Sequence, residues 1–178
     1  MSRQTTVNSL MKIDKILSKT VEIICVLLLI ATVTTISVSI FTRFVIFYPL
    51  NFADALGKYM MMWMAFLGSG LAIKAGEHIA VDMFMDKLNA KNRKILLVII
   101  DVLISIFLIF LIYYGWIFAL SGKGSHDPFV FGISMMIPYL SVPVGFAYIL
   151  VQLNITTILR VLKEDPDPAV KEKSLLPD

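Results

Sequence analysis

Four apolar runs separated by short polar stretches set the plan of this chain of 178 residues. The first, Ile23 to Thr42, is long enough to cross a bilayer, which takes about 20 apolar residues in a helix. Before it, Arg3, Lys12, Lys15 and Lys19 are interspersed with Leu10, Met11, Ile13, Ile16 and Leu17. That pattern predicts a basic amphipathic lead-in lying on the membrane surface. No A-x-A site follows the run, so it is read as a retained helix rather than a signal peptide. The second run has an uncharged core of only Tyr59 to Ile73. Its helix is expected to begin near Asn51 and end near Gly76, with Asp54 and Lys58 at one interface. The third run, Ile95 to Leu120, is interrupted only by Asp101 and carries Tyr113, Tyr114 and Trp116 towards its far boundary. The fourth, from about Ile133 to Leu159, holds Pro138 and Pro143, which predict a kink or a late start. The expected fold is an all-α integral membrane protein of four transmembrane helices with interfacial amphipathic segments. Its spans fall at about residues 22–43, 52–76, 95–120 and 133–159. Residues 1–160 form the membrane domain, and 161–178, with DPDP and scattered charge, read as a disordered tail.

The connecting stretches refine this plan. Phe44, Phe47, Tyr48 and Phe52 suit an aromatic belt at a membrane boundary, with Pro49 and Asn51 supplying a turn. Between the second and third spans, Ile79, Val81, Met83, Phe84 and Leu88 are interspersed with Asp82, Asp86, Lys87, Lys91, Arg93 and Lys94. This reads as a second interfacial segment whose bases meet lipid headgroups. Thirteen of the sixteen Lys and Arg fall at the two ends and in the stretch from Lys74 to Lys94 that holds the connection. The positive-inside rule therefore places both termini in the cytoplasm. Composition agrees: 58% hydrophobic and 16% charged residues, against about half and a quarter in soluble domains. The net charge of +3 reflects topology, since the basic residues form no single patch for nucleic acid.

Candidate chemistry is sparse. Cys25 is the only cysteine, so no intrachain disulfide is possible, and in an apolar run it reads as a small buried hydrophobe. His78 and His126 fall in different connections and do not suggest a shared metal or haem. Asp101, the one acid well inside a span, is first a candidate for ion or proton handling. A structural hydrogen bond within the bundle, or a contact to a partner, is the favoured reading. Glu22 reads as an interfacial ion-pair partner, and Asp54 and Lys58 stand four apart, where a helical pair is geometrically possible. His126 and Asp127 form a possible pH-sensitive pair in a loop. The hydroxyls of Thr32, Thr34, Thr35, Ser37 and Ser39 are expected to bond their own helix carbonyls, or otherwise a second helix. Met60, Met61, Met62 and Met64 read as adaptable packing. No phosphate loop, triad or metal-spaced cluster appears, and nothing argues for an enzyme. Nor are there repeated halves or paired broken helices of a complete transporter. What stands out is the second helix, where Ala65, Gly68, Ser69, Ala72 and Gly76 share one side. Small residues on one face admit a second helix at close range. A subunit that holds another membrane protein is the reading that follows.

The stretch WMAFLGSGLAIKAGEHIAVD, Trp63 to Asp82, resembles the signature of the small membrane subunit of TRAP (tripartite ATP-independent periplasmic) transporters. Trp63, Phe66, Leu67, Gly68, His78, Val81 and Asp82 fit that pattern. IPYLSVPVGF, Ile137 to Phe146, is similar to the family's fourth-helix motif, and Arg43 after the first helix fits as well. One departure is Phe52, where the family often has a tryptophan, with Asp54 alone in place of paired acids. The resemblance covers about residues 12 to 160. It implies a four-helix scaffold bound to a large multi-spanning subunit that carries substrate and sodium. It also implies a soluble periplasmic binding protein that delivers an organic acid such as a C4-dicarboxylate or sialic acid. This chain would then hold no cofactor and bind neither substrate nor sodium, its partners being those two proteins and membrane lipid. Ala65, Gly68, Ser69 and Ala72 are the candidates for close helix packing, with Arg43, Asp54, Lys58 and Trp63 as anchor or interface residues. His78 and Asp82 mark the turn after the second span, and the loop of Lys123, His126 and Asp127 is a candidate docking point for the binding protein. The rival reading is a stand-alone four-helix exporter, which needs a membrane-embedded acid in its first helix. There Glu22 sits only at the edge.

Overall fold

The computed structural model describes residues 3–75 and 90–164. Four helices among these are long and apolar enough to cross a membrane. Helix α1 spans Arg3–Phe41, α2 Asn51–Ala75 and α3 Ala90–Ser121. A single turn, α4 (Met136–Tyr139), leads into α5 (Ser141–Glu164).

α1 is the first departure from expectation. Its 39 residues form one unbroken helix, about 58 Å long at 1.5 Å per residue. The basic lead-in is thus the first part of the same rod as the span rather than a separate surface helix. Its inward positions explain why. Ser18, Val21, Thr32 and Ser39 are buried and Asp14, Leu17, Cys25, Leu28 and Ile36 half-buried, a spacing of three and four that keeps one stripe on the neighbouring helices. Thr32 bonds the Leu28 carbonyl of its own turn at 2.7 Å and Thr42 that of Ser39 at 3.0 Å. The α-helical geometry ends before Arg43, which lies in a π-helical turn, Thr42–Ile46.

α5 occupies the middle of the molecule and is the most enclosed of the four spans. α2 and α3 pack along it, and α1 packs along α2 with a smaller contact on α5. The helices therefore stand as a row, α1–α2–α5–α3. Val21, Leu67 and Tyr148 form one buried cluster where α1, α2 and α5 meet. Leu108, Ile149 and Leu153 form another between α3 and α5. α2 and α5 approach closely because two glycines allow it. A Cβ on Gly145 would come within 2.4 Å of Phe66 Cβ and 3.2 Å of its Cα, and one on Gly70 would meet the Tyr148 ring.

The fourth span begins at Met136, close to its expected start, and is broken once, between the two prolines. Both Pro138 and Pro143 are buried, and the chain turns at Leu140 between them. Proline lacks an N–H and disfavours helix before it. Ser141, fully buried, donates to the Pro138 carbonyl at 2.6 Å. α5 continues to Glu164, beyond the expected limit, while the predicted tail from residue 165 lies outside the described residues.

Candidate functional site

Only a narrow stripe of α2 faces outwards, because α1 and α5 cover its flanks. Asp54, Lys58, Met61, Ala65, Ser69 and Ala72 are exposed, and Gly68 is half-buried. On a helix at 100° per residue these positions fall within about a third of the circumference. The stripe differs in kind from the other exposed surfaces. α1 presents Leu27, Ile30, Val33, Val38 and Phe41, and α3 presents Val102, Leu103, Ile106, Phe107 and Phe110. Those are side chains suited to lipid tails. The α2 stripe offers Met61 as its one large apolar side chain, with small residues elsewhere along the membrane depth. A Cβ added at Gly68 meets nothing within 4 Å, so the chain's own packing leaves this position open. Ser69 bonds the Ala65 carbonyl at 2.7 Å, which returns its hydroxyl to its own helix. Trp63 lies elsewhere, packed against the cluster of Val21, Leu67 and Tyr148.

At the end of the helices that carries residues 42–58 and 121–135, polar groups tie the connections to α2. Arg43 Nη2 lies 2.8 Å from Asp54 Oδ2. Asp54 therefore pairs across the first connection rather than with Lys58, the partner its i, i+4 spacing suggested. Both members of the pair are exposed, and an exposed pair contributes at most about 1 kcal/mol.

The connection between α3 and α4 is an ordered hairpin. His126–Asp127 pairs antiparallel with Ile133–Ser134. Asp127 organises it: its carboxylate accepts from the Phe129 N–H at 2.9 Å and from the Tyr59 hydroxyl of α2. The Asp127 backbone carbonyl accepts from the Val130 and Gly132 N–H groups at 3.3 and 3.0 Å. The Tyr59 hydroxyl, the Phe129 N–H and the field of Lys58 hold this carboxyl below the usual range. So Asp127 is a structural clasp, while His126 and Lys123 stay exposed on the same loop. The three do not converge as one site.

Towards the other end, α5 carries a polar turn gripped from both sides. Gln152, fully buried, donates to Asp14 of α1 at 2.6 Å and stands 3.5 Å from the Ser18 hydroxyl. On the opposite side Thr157 donates to Asp101 of α3 at 2.8 Å, and Asn154 to Ser105 at 3.2 Å. Asp101 thus bonds within the molecule. The Asp14–Gln152 clamp escaped the reading of the sequence; its trace is an amide in an apolar helix and the Asp14–Ser18 spacing of four. Among the described residues no group of three His, Cys, Asp or Glu side chains comes together to hold a metal ion. His78 and Asp82 lie outside the described residues.

A row of four helices long and apolar enough to cross a membrane, with one exposed small-residue stripe on α2 and clasped connections, describes a multi-pass membrane protein. Residues 31–164 match the family of tripartite ATP-independent periplasmic transporters, DctQ component, and the chain belongs to that family. It is 28% identical over 155 residues to the ectoine TRAP transporter small permease protein TeaB of Halomonas elongata, covering 86% of this chain and 80% of the relative. It is also 28% identical over 131 residues to the sialic acid TRAP transporter small permease protein SiaQ of Vibrio cholerae, covering 74% and 75%. The chain is a small permease subunit of a tripartite transporter, and not an enzyme.

Proposed function

We propose that this chain is the scaffold subunit of a sodium-coupled TRAP transporter in the bacterial inner membrane, with the exposed α2 stripe as the seat of the large transport subunit. One observation carries the reading. Ala65, Gly68, Ser69 and Ala72 are left open by the chain's own packing, and small side chains give lipid little to cover but let a partner helix come close. Gly70 and Gly145, in contrast, are used up inside the molecule. Sodium and substrate belong to the large subunit on this reading, and this chain holds no cofactor.

The placement of Lys and Arg supports cytoplasmic termini. The Arg43–Asp54 clasp and the hairpin then face the periplasm. Lys123 and His126, exposed there, are the groups offered to the substrate-binding protein, with Asp127 holding the hairpin in shape. The substrate is a small organic acid or a solute of the kinds the relatives are named for, sialic acid and ectoine. The stand-alone exporter finds no support, since Glu22 is 55% exposed and pairs with Lys19 at 3.2 Å.

The test is uptake of labelled substrate with sodium into proteoliposomes, supplied with the binding protein. They would contain this chain, the large subunit, or both. Transport only with both is expected; transport by this chain alone would overturn the scaffold role. Gly68→Leu is expected to reduce co-purification with the large subunit while leaving the isolated chain's melting unchanged. Undiminished co-purification would remove the stripe from the interface.

A further inference from the structure

Phe47 and Phe131 are the only residues other than glycine at positive φ among the described residues, at 58° and 51°. Bulky side chains are uncommon there. Both positions are ones that glycine or asparagine normally takes. Phe47 ends the π-helical turn, its own N–H and that of Tyr48 returning to the Thr42 carbonyl, a left-handed termination usually built on glycine. Phe131 and Gly132, both at positive φ, lie between Val130 and Ile133, whose carbonyl and N–H close the turn at 2.9 Å. That is the requirement of a type I′ turn, where Asn-Gly is the usual pair.

The same two rings are 84% and 85% exposed. Each therefore combines an unfavourable backbone with an unfavourable exposure to water, in two separate connections at one end of the molecule. Local structure explains neither ring. Around them, Phe44, Val45, Ile46, Tyr48 and Phe129 are also exposed, while Val130 between Phe129 and Phe131 is buried. The hairpin thus presents both its phenylalanines outwards. Phe131 also touches Phe52 of α2, ring centroids 5.6 Å apart, which brings the hairpin tip to the level of the first turn of α2.

We infer that the hairpin tip, Phe129 and Phe131, and the π-turn aromatics, Phe44 and Phe47, are seated in the phospholipid headgroup–acyl boundary. The exposed apolar face of α1, ending in Ile40 and Phe41, is followed after Thr42 and the Asp54-paired Arg43 by the exposed Phe44–Tyr48, so apolar surface resumes on the connection directly beyond the span. A water-soluble partner that comes and goes would leave these rings in water between visits. Lipid covers them throughout, and aromatic rings are favoured at that depth. The hairpin is then two-sided, with its phenylalanines in the membrane and Lys123 and His126 in water. The inference does not depend on the docking role proposed for those two residues.

Nitroxide labels test it in the full chain in phospholipid vesicles. Cys25, the only cysteine, is first changed to alanine. Single cysteines then replace Phe47, Phe131 or, as the aqueous control on the same hairpin, Lys123. Labels at 47 and 131 are expected to relax more with oxygen than with a water-soluble nickel chelate, and the label at 123 the reverse. The large subunit and binding protein should leave the ratios at 47 and 131 unchanged. Dominant nickel access at 131 would overturn the inference, as would loss of oxygen access there only when either protein is added. A label at Phe129 in a Phe131→Gly background gives a second reading, because glycine suits the turn. It should shift towards nickel with melting unchanged; no shift would also overturn the inference.

Discussion

Gly68 and Gly70 are two residues apart on α2 and point to nearly opposite sides. One has open space where a Cβ would be; the other lies against the Tyr148 ring, and Gly145 of α5 lies against Phe66. The spacing of small residues singles out Gly68 in the sequence but does not show that Gly70 and Gly145 are the contacts inside the molecule, because that depends on which face meets which neighbour. The structure ranks them and yields a prediction. At Gly145 the added methyl meets the Phe66 backbone as well as its Cβ, so no flexible side chain yields, and overpacking of this kind costs about 1–3 kcal/mol. The helix preference for alanine returns up to about 1 kcal/mol. Gly145→Ala is therefore expected to lower the melting temperature of the purified subunit. Gly68→Ala should leave it unchanged or raise it. A destabilised Gly68→Ala with a neutral Gly145→Ala would reverse the assignment of inner and outer faces.

Whole elements follow two different rules of legibility. Three of the four spans are visible in hydropathy alone, because twenty apolar residues in a row have few other places to go. The second, with its uncharged core of only Tyr59 to Ile73, is legible only when the helix is extended past Lys58 towards Asn51. The break in the fourth is visible in Pro138 and Pro143, whose effect is local. The union of the lead-in with α1 is not visible, since what holds it is Gln152, 138 residues away from Asp14. The hairpin likewise depends on Tyr59, 68 residues from Asp127, and a glycine-punctuated loop gives no sign of that contact. This clasp has a defined pH response. Its carboxyl titrates lower when docked than when free, so the contribution to docking is complete above the ordinary aspartate range, about pH 4. It is lost only as pH falls through the lowered value. Amide exchange of residues 126–134 is expected to be flat from neutral pH down to about 5, after correction for intrinsic rates. Tyr59→Phe should speed that exchange at neutral pH and leave exchange in α5 unchanged. Equal protection in the variant would mean that the β-pairing alone holds the loop.

At the scale of the molecule, a row of helices differs from a closed bundle in that an end helix can depend on a single neighbour, as α3 does, whereas α1 is held by both α2 and α5. α3 joins the rest chiefly through α5, and its polar fastenings are Asp101–Thr157 and Ser105–Asn154. In membranes such bonds contribute on average about 0.6 kcal/mol each, so their larger effect is to fix the register of α3 against α5. That gives Asp101 a role which an amide can also fill. Asparagine keeps the acceptor for the Thr157 hydroxyl and loses only the charge. Asp101→Asn is therefore expected to retain substrate uptake in the reconstituted complex, while Asp101→Leu, which removes the acceptor, should weaken the seating of α3 and reduce the yield of complex. The two variants separate the possibilities cleanly. If the charge itself moves an ion, both variants abolish uptake while the complex still assembles. If the carboxylate is a fastening, loss of uptake tracks loss of assembly and the amide is spared. Measuring complex yield and uptake on the same preparations decides between them. The second result would leave any ion coupling to the large subunit, in line with the proposed scaffold role.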